Sequence, residues 1–215
     1  MTLPFTVEQF LGVFASYNTT VWPLQIVLNL LAIAVIVLAI ARRPYSARWI
    51  SIILGILWVW TGAIYHIAYF STINPAAYGF GALCILQGGL FLWMATRAKV
   101  RYQATMSWRG VLGGIVVLYG LLIYPILGYA LGHIFPYNPT FGAPCPTTIF
   151  TFGVLLWSVG VPRYALIIPT LWSVIGFSAA VSLGIREDIG LLVAGLVGSI
   201  VIALNRRAPE RVSAS

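Results

Sequence analysis

The sequence predicts an all-α polytopic membrane protein: seven transmembrane helices, N-terminus outside and C-terminus in the cytoplasm, built as one leading helix plus three parallel helical hairpins, with a short N-terminal interfacial helix. Three observations predict it. Hydrophobic residues make up 60% of the 215 and charged residues only 7%, against roughly 25% charged in an average soluble domain. The apolar residues gather into seven stretches, most of them near the ~20 residues a helix needs to cross the hydrocarbon core, and none has the alternation of a barrel strand. Eleven of the twelve basic residues fall on one side of the membrane if those stretches cross it in turn, which is the positive-inside pattern.

The chain reads as a single transmembrane domain over 1–215, with an interfacial segment at 1–20, a seven-helix bundle at 21–205 and a cytoplasmic tail at 206–215. The first segment has no basic start and no early apolar core, so it does not resemble a signal peptide. Thr6 and Gln9 have capping-box spacing, and Phe10, Val13, Phe14 and Tyr17 share one face. That predicts a helix lying on the outer membrane surface. Asn18-Thr19-Thr20 matches a glycosylation acceptor, a three-residue match that matters only in a eukaryotic secretory pathway.

The spans are expected at 21–41, 48–70, 76–96, 110–133, 146–161, 163–185 and 188–205. The fifth is short for a full crossing, so it either begins in the preceding loop or lies where the bilayer thins. Pro125 and Pro169 fall inside the fourth and sixth and predict kinks. Arg42, Arg43 and Arg48, then Arg97, Lys99, Arg101 and Arg109, then Arg163, then Arg206, Arg207 and Arg211 mark the cytoplasmic connections. Arg186 alone is on the other side, beside Glu187 and Asp188, with which it is expected to pair at the surface; alternatively the two carboxylates draw a cation to the outer mouth. The basic loops set orientation and attract anionic headgroups, so the net charge of +8 does not point to nucleic acid.

An internal match supports the hairpins. Residues 48–67 overlay 107–126 with Trp49 on Trp108, Gly55 on Gly114 and Tyr65 on Tyr124. Asn74-Pro75 then answers Asn138-Pro139, and Phe80-Gly81-Ala82 answers Phe141-Gly142-Ala143. The last two helices form a weaker third copy. Each unit enters from the same side, so the copies are parallel rather than inverted. The glycines are expected at close helix crossings.

Enzyme motifs are absent: no HExxH, GxSxG, P-loop or CxxC is present. The only lysine, Lys99, is in a loop, which removes a retinal Schiff base, and two histidines could serve one haem at most. The chain therefore reads more as a binding, transport or accessory protein than as an enzyme. One distribution is uneven: His66, Cys84, His133 and Cys145 all map to the outer half. Two thiolates and two imidazoles form a set suited to zinc, or in part to copper. Against this stand an apolar-core role for each cysteine, helix-to-helix hydrogen bonds for each histidine and a Cys84–Cys145 disulfide. Asn74, Asn138, Glu187 and Asp188 are further outer-face candidates. The uncharged loop 133–148, with its four prolines, is expected to line or plug a cavity or else to connect two helices, with Thr147 and Thr148 capping the helix that follows.

The stretches 3–25, 65–82 and 141–153 resemble a family of bacterial multi-pass membrane proteins known as a domain of unknown function. The resemblance covers nearly the whole chain. It implies the bacterial inner membrane and lends no catalytic residues. The sequence thus supports two functions: binding or transport of a metal ion or small solute through an outward-facing site, or a non-catalytic accessory subunit of a larger membrane complex. The expected partners are the bilayer and either another membrane protein or a second copy.

Overall fold

The computed structural model describes residues 4–97 and 99–204; Arg206, Arg207, Glu210, Arg211 and the predicted tail lie outside them. Helix α1 (Val7–Val21) leads, followed by α2 (Leu24–Ala41). Helix α3 (Ser46–Trp60) runs on as a π-helix, Thr61–Tyr69, and a 3₁₀ turn, Phe70–Thr72, and α4 (Ala77–Arg97) returns. A two-residue strand β1 (Arg101–Tyr102) precedes α5 (Trp108–Leu118), a π-helical stretch Tyr119–Ile123 and α6 (Tyr124–Ala130). Helix α7 (Pro144–Leu156), strand β2 (Ser158–Val159), a 3₁₀ turn Arg163–Leu166, α8 (Ile167–Leu183), a further 3₁₀ turn Arg186–Asp188 and α9 (Ile189–Leu204) complete the order.

Six continuous helical stretches are long and apolar enough to cross a membrane: Leu24–Ala41, Ser46–Thr72, Ala77–Arg97, Trp108–Ala130, Arg163–Leu183 and Arg186–Leu204. The fifth expected span differs. Its helix covers only Pro144–Leu156, about 20 Å at 1.5 Å per residue, against a hydrocarbon core of about 30 Å. Every residue of it but Cys145 is buried. It packs against α5, α8 and α9 and the π-helical turns, so its neighbours shield it from any surrounding lipid. Strand β2 then pairs antiparallel with β1, Arg101 opposite Val159 and Tyr102 opposite Ser158. Tyr102 is buried, its hydroxyl 3.2 Å from that of Ser51, and burial pushes the phenol up to about 12. The loop before α5 therefore folds inward to meet the end of the short helix. Irregular backbone at that depth needs protein around it, and here it has it.

The hairpins close on glycines. A Cβ on Gly55 would lie 3.0 Å from the Gly88 carbonyl, and one on Gly62 2.6 Å from that of Gly81. In the second hairpin Gly113 and Gly153 oppose each other, each Cβ 2.8 Å from the other's carbonyl, and Gly120 opposes Pro146 at 2.9 Å. Of the adjacent pair Gly113 and Gly114, Gly113 is at the crossing, so Gly55 answers Gly113 rather than Gly114 as overlaid.

Pro125 sits in the first turn of α6, directly after the π-helical stretch. The wider turn takes up the break where the proline removes a donor. Pro169 does not kink a helix interior as expected: it lies in the first turn of α8, where its missing N–H costs nothing.

Helix α1 starts at the expected capping box, with Gln9 N–H donating to the Thr6 hydroxyl at 3.2 Å and Thr6 N–H to the Gln9 side chain at 2.9 Å. Its Val13, Phe14 and Tyr17 are buried against Tyr65, Phe70 and Ala77, so this face covers protein. Asn18 is fully buried too. Its amide donates to the carbonyls of Pro136 and Asn138 at 2.6 and 2.8 Å, and its oxygen accepts from Gln25 and Thr140. A glycan on Asn18 is incompatible with that network.

Candidate binding cavity

The connections around 73–76 and 131–143, the turn before α9 and helix α1 share the end of the bundle opposite the arginine-rich loops. A cavity of about 360 Å³ lies there, between α1, the ends of α3 and α4, the start of α7, α8 and the α9 turn. Its wall is rich in aromatic rings: Phe10 and Phe14 from α1, Tyr65 and Phe70 from the α3 extension, Phe80 from α4, Trp172 from α8. Pro139, Ala143, Pro144 and Pro146 bring the proline-rich loop to the wall, one of the two roles expected for it. Gly142, at φ +99, turns that loop beneath α1; a Cβ there would meet Leu28 and the Tyr17 hydroxyl. Burial raises the Tyr17 phenol above its usual range, so it stays protonated while accepting from Trp60 at 2.8 Å.

Polar side chains reach the cavity among these rings. His66 is fully buried in the π-helical turn, its ring 4.8 Å from that of Trp172 and 5.9 Å from that of Phe80. Neither ring nitrogen has a hydrogen-bond partner. A buried imidazole with two unanswered nitrogens costs free energy, and both belong to a residue on the cavity wall. Asp188, also buried, accepts from the Tyr124 hydroxyl at 2.6 Å. The Cys145 thiol neighbours that carboxylate and the Trp172 indole.

Behind Asp188, Glu187 is fully buried and pairs with His133 Nδ1 at 2.7 Å. Its backbone carbonyl accepts from the Tyr119 hydroxyl at 2.8 Å, and its second carboxylate oxygen is unpartnered. The expected surface pairing of Arg186 with Glu187 and Asp188 is therefore incorrect: Arg186 is exposed while both carboxylates are inside. The 3₁₀ turn before α9 swings them inward, and the apolar sequence around them gives no sign of it.

The candidate residues separate. His66, Cys145, Asn74 and Asp188 line the cavity. His133 stands behind it, on Glu187. Cys84 is buried in the apolar core among aliphatic and aromatic side chains. Asn138 accepts through its backbone from Asn18, and its own side-chain oxygen is unpartnered. Both cysteines are free thiols. Among the described residues no three His, Cys, Asp or Glu side chains are grouped closely enough to hold a metal ion. Thr147 and Thr148 are buried but do not cap α7; Ala143 precedes it without a side-chain cap, and the Thr147 hydroxyl is unpartnered.

Sequence reasoning missed Tyr124, Trp172 and the α1 phenylalanines as wall residues. The one signal for the phenylalanines was the density of aromatic residues in 5–17 and 65–80, which reads equally well as core; Tyr124 and Trp172 lie outside both stretches.

The fold defines an all-helical chain in which long apolar helices surround a short buried one and enclose an aromatic cavity. A model of a family of unknown function, DUF6064, matches residues 7–213, and the chain belongs to that family. No curated protein and no solved structure matches it.

Proposed function

We propose that this is a multi-pass protein of the bacterial cytoplasmic membrane, N-terminus outside and C-terminus inside, that binds or transports a small solute through the cavity, which faces the outer side. The placement of the basic loops supports the orientation. The observation that carries the function is the buried His66, whose two free nitrogens sit on the wall of an aromatic cavity. A volume of about 360 Å³ equals the share of about a dozen water molecules, enough for a compact ring with a short polar arm. Largely apolar walls with a few convergent polar groups are the usual form of a small-molecule site.

A metal ion is less well supported: of the four expected ligands only His66 and Cys145 are on the cavity wall, with Asp188 beside the thiol. The buried Glu187 and Asp188 put ionisable groups inside the bundle, which favours a binding site over a purely structural subunit.

The test is what the purified protein carries. Ala179 lines the cavity and is half-buried, so Ala179→Phe fills space that the fold leaves open. Mass spectrometry of solvent extracts should find a compound near stoichiometric with wild type and depleted in the variant. Identical extracts from two equally folded preparations would overturn the proposal.

A further inference from the structure

The chemistry of the cavity narrows the class of solute. Asp188 is a buried carboxylate on the cavity wall, and the groups that meet it there are neutral: the Tyr124 hydroxyl, which donates at 2.6 Å, and the Cys145 thiol. Its chain neighbour Glu187 is buried beside it. Among the described residues the one ion pair at this end is between Glu187 and His133, and no lysine or arginine answers either carboxylate. A buried carboxylate without a cation is costly. The same cavity wall presents the rings of Phe10, Phe14, Tyr65, Phe70, Phe80 and Trp172. Aromatic faces attract cations, most strongly where water is excluded. His66 adds a fully buried imidazole with both nitrogens free; in its neutral form one of them accepts a hydrogen bond.

These observations rest on the solute-binding reading above and deepen it. We infer that the cavity takes a small protonated amine with an apolar or aromatic body. The ammonium donates to the Asp188 carboxylate and to the accepting nitrogen of His66, and the body packs against the phenylalanines of α1 and the α3 extension. The ligand then supplies the positive charge that the protein does not place beside Asp188. An anion would meet the carboxylates with like charge. A neutral ring compound would fill the volume and leave Asp188 unanswered.

The test compares 2-phenylethylamine with its neutral analogue 2-phenylethanol, which differs only in the charged group. Equilibrium binding of each is measured to full-length wild type, Asp188→Asn and Ala179→Phe in lipid nanodiscs near neutral pH. The wild type should bind the amine roughly tenfold more tightly than the alcohol, or better, as for a hydrogen bond to a charged partner. Asp188→Asn should lose that preference while still binding the alcohol, which also shows that the variant is folded, and Ala179→Phe should bind neither. Alcohol and amine bound equally by wild type, with both excluded by Ala179→Phe, would overturn the amine and leave the cavity site standing. Binding of neither compound to wild type, or binding unaffected by Ala179→Phe, would overturn both. The wild-type comparison decides the matter even if Asp188→Asn does not fold.

Discussion

The hairpin formed by α3 and α4 and the one formed by α5, α6 and α7 cross in the same way and come back differently. In each, two glycines seven residues apart on the outgoing helix, Gly55 and Gly62 or Gly113 and Gly120, meet small or ring residues seven apart on the return, Gly88 and Gly81 or Gly153 and Pro146. In each, the outgoing helix widens into π-helical turns at the second of those glycines, from Thr61 in one and from Tyr119 in the other. The return helices then differ: 21 residues from Ala77 to Arg97, but 13 from Pro144 to Leu156. The second hairpin turns through a long proline-rich loop in place of the missing helix, and that loop lines the cavity. The close crossing is common to both hairpins, and the departure from it provides the candidate site.

The largest expected effect comes from breaking the shared crossing. Gly62→Ile and Gly120→Ile each drive a branched side chain into backbone 2.6 to 2.9 Å from where even a Cβ would sit. Each should cost about 3 kcal/mol or more, the upper end of overpacking effects, read as loss of monodisperse protein or a large fall in melting temperature in detergent. If one hairpin tolerates the change and the other does not, the crossings are not equivalent.

A smaller effect should separate the two histidines, one belonging to each hairpin. His133→Ala leaves the buried Glu187 without its partner and should cost about 2 kcal/mol. His66→Phe removes two unanswered nitrogens from an aromatic cluster and should cost less than 1 kcal/mol. Thermal melts of the two variants under the same conditions make the comparison.

Alkali should act on the inward-folded floor under the short helix. The buried Tyr102 phenol titrates at about 12 rather than 10, so the folded state favours the neutral form. Its stabilising contribution is complete below about pH 10 and is lost as pH rises towards about 12. Tyr102→Phe should flatten that part of the melting-temperature profile. The smallest change is expected at Gly89, one residue past a crossing glycine, where a Cβ meets nothing within 4 Å. Gly89→Ala should shift stability by less than about 1 kcal/mol, in the stabilising direction.

The helices were legible in the sequence because composition and length dictate them: an 18-residue run such as Leu24–Ala41 has few other solutions in lipid. The pairing of Asn74-Pro75 with Asn138-Pro139 indicated the hairpins, but the register was one residue off, because Gly113 and Gly114 are adjacent and only packing distinguishes them. That the fifth span is short was legible, and α7 does begin in the preceding loop, at Pro144; its end was not, since the apolar run continues through Leu155 and Leu156 to Trp157 and the helix stops only where β2 meets β1. The site was half legible. His66 and Cys145 attracted attention by residue type and do line the cavity. Glu187 and Asp188 looked like a surface ion cluster, because nothing local marks a turn that points carboxylates inward. Cys84 and Cys145 each stand two residues after a Phe-Gly-Ala, yet their surroundings differ, as the first hairpin's full-length return helix carries Cys84 into the core.

On the proposed function, His66 serves a ligand rather than the fold. The direct measurement takes His66→Phe beside wild type and records both the melting temperature and the amount of co-purifying compound per protein. The account predicts a melting temperature within a few degrees of wild type and loss of the bound compound. A variant that melts far lower, yet carries the compound at the wild-type amount, would contradict it.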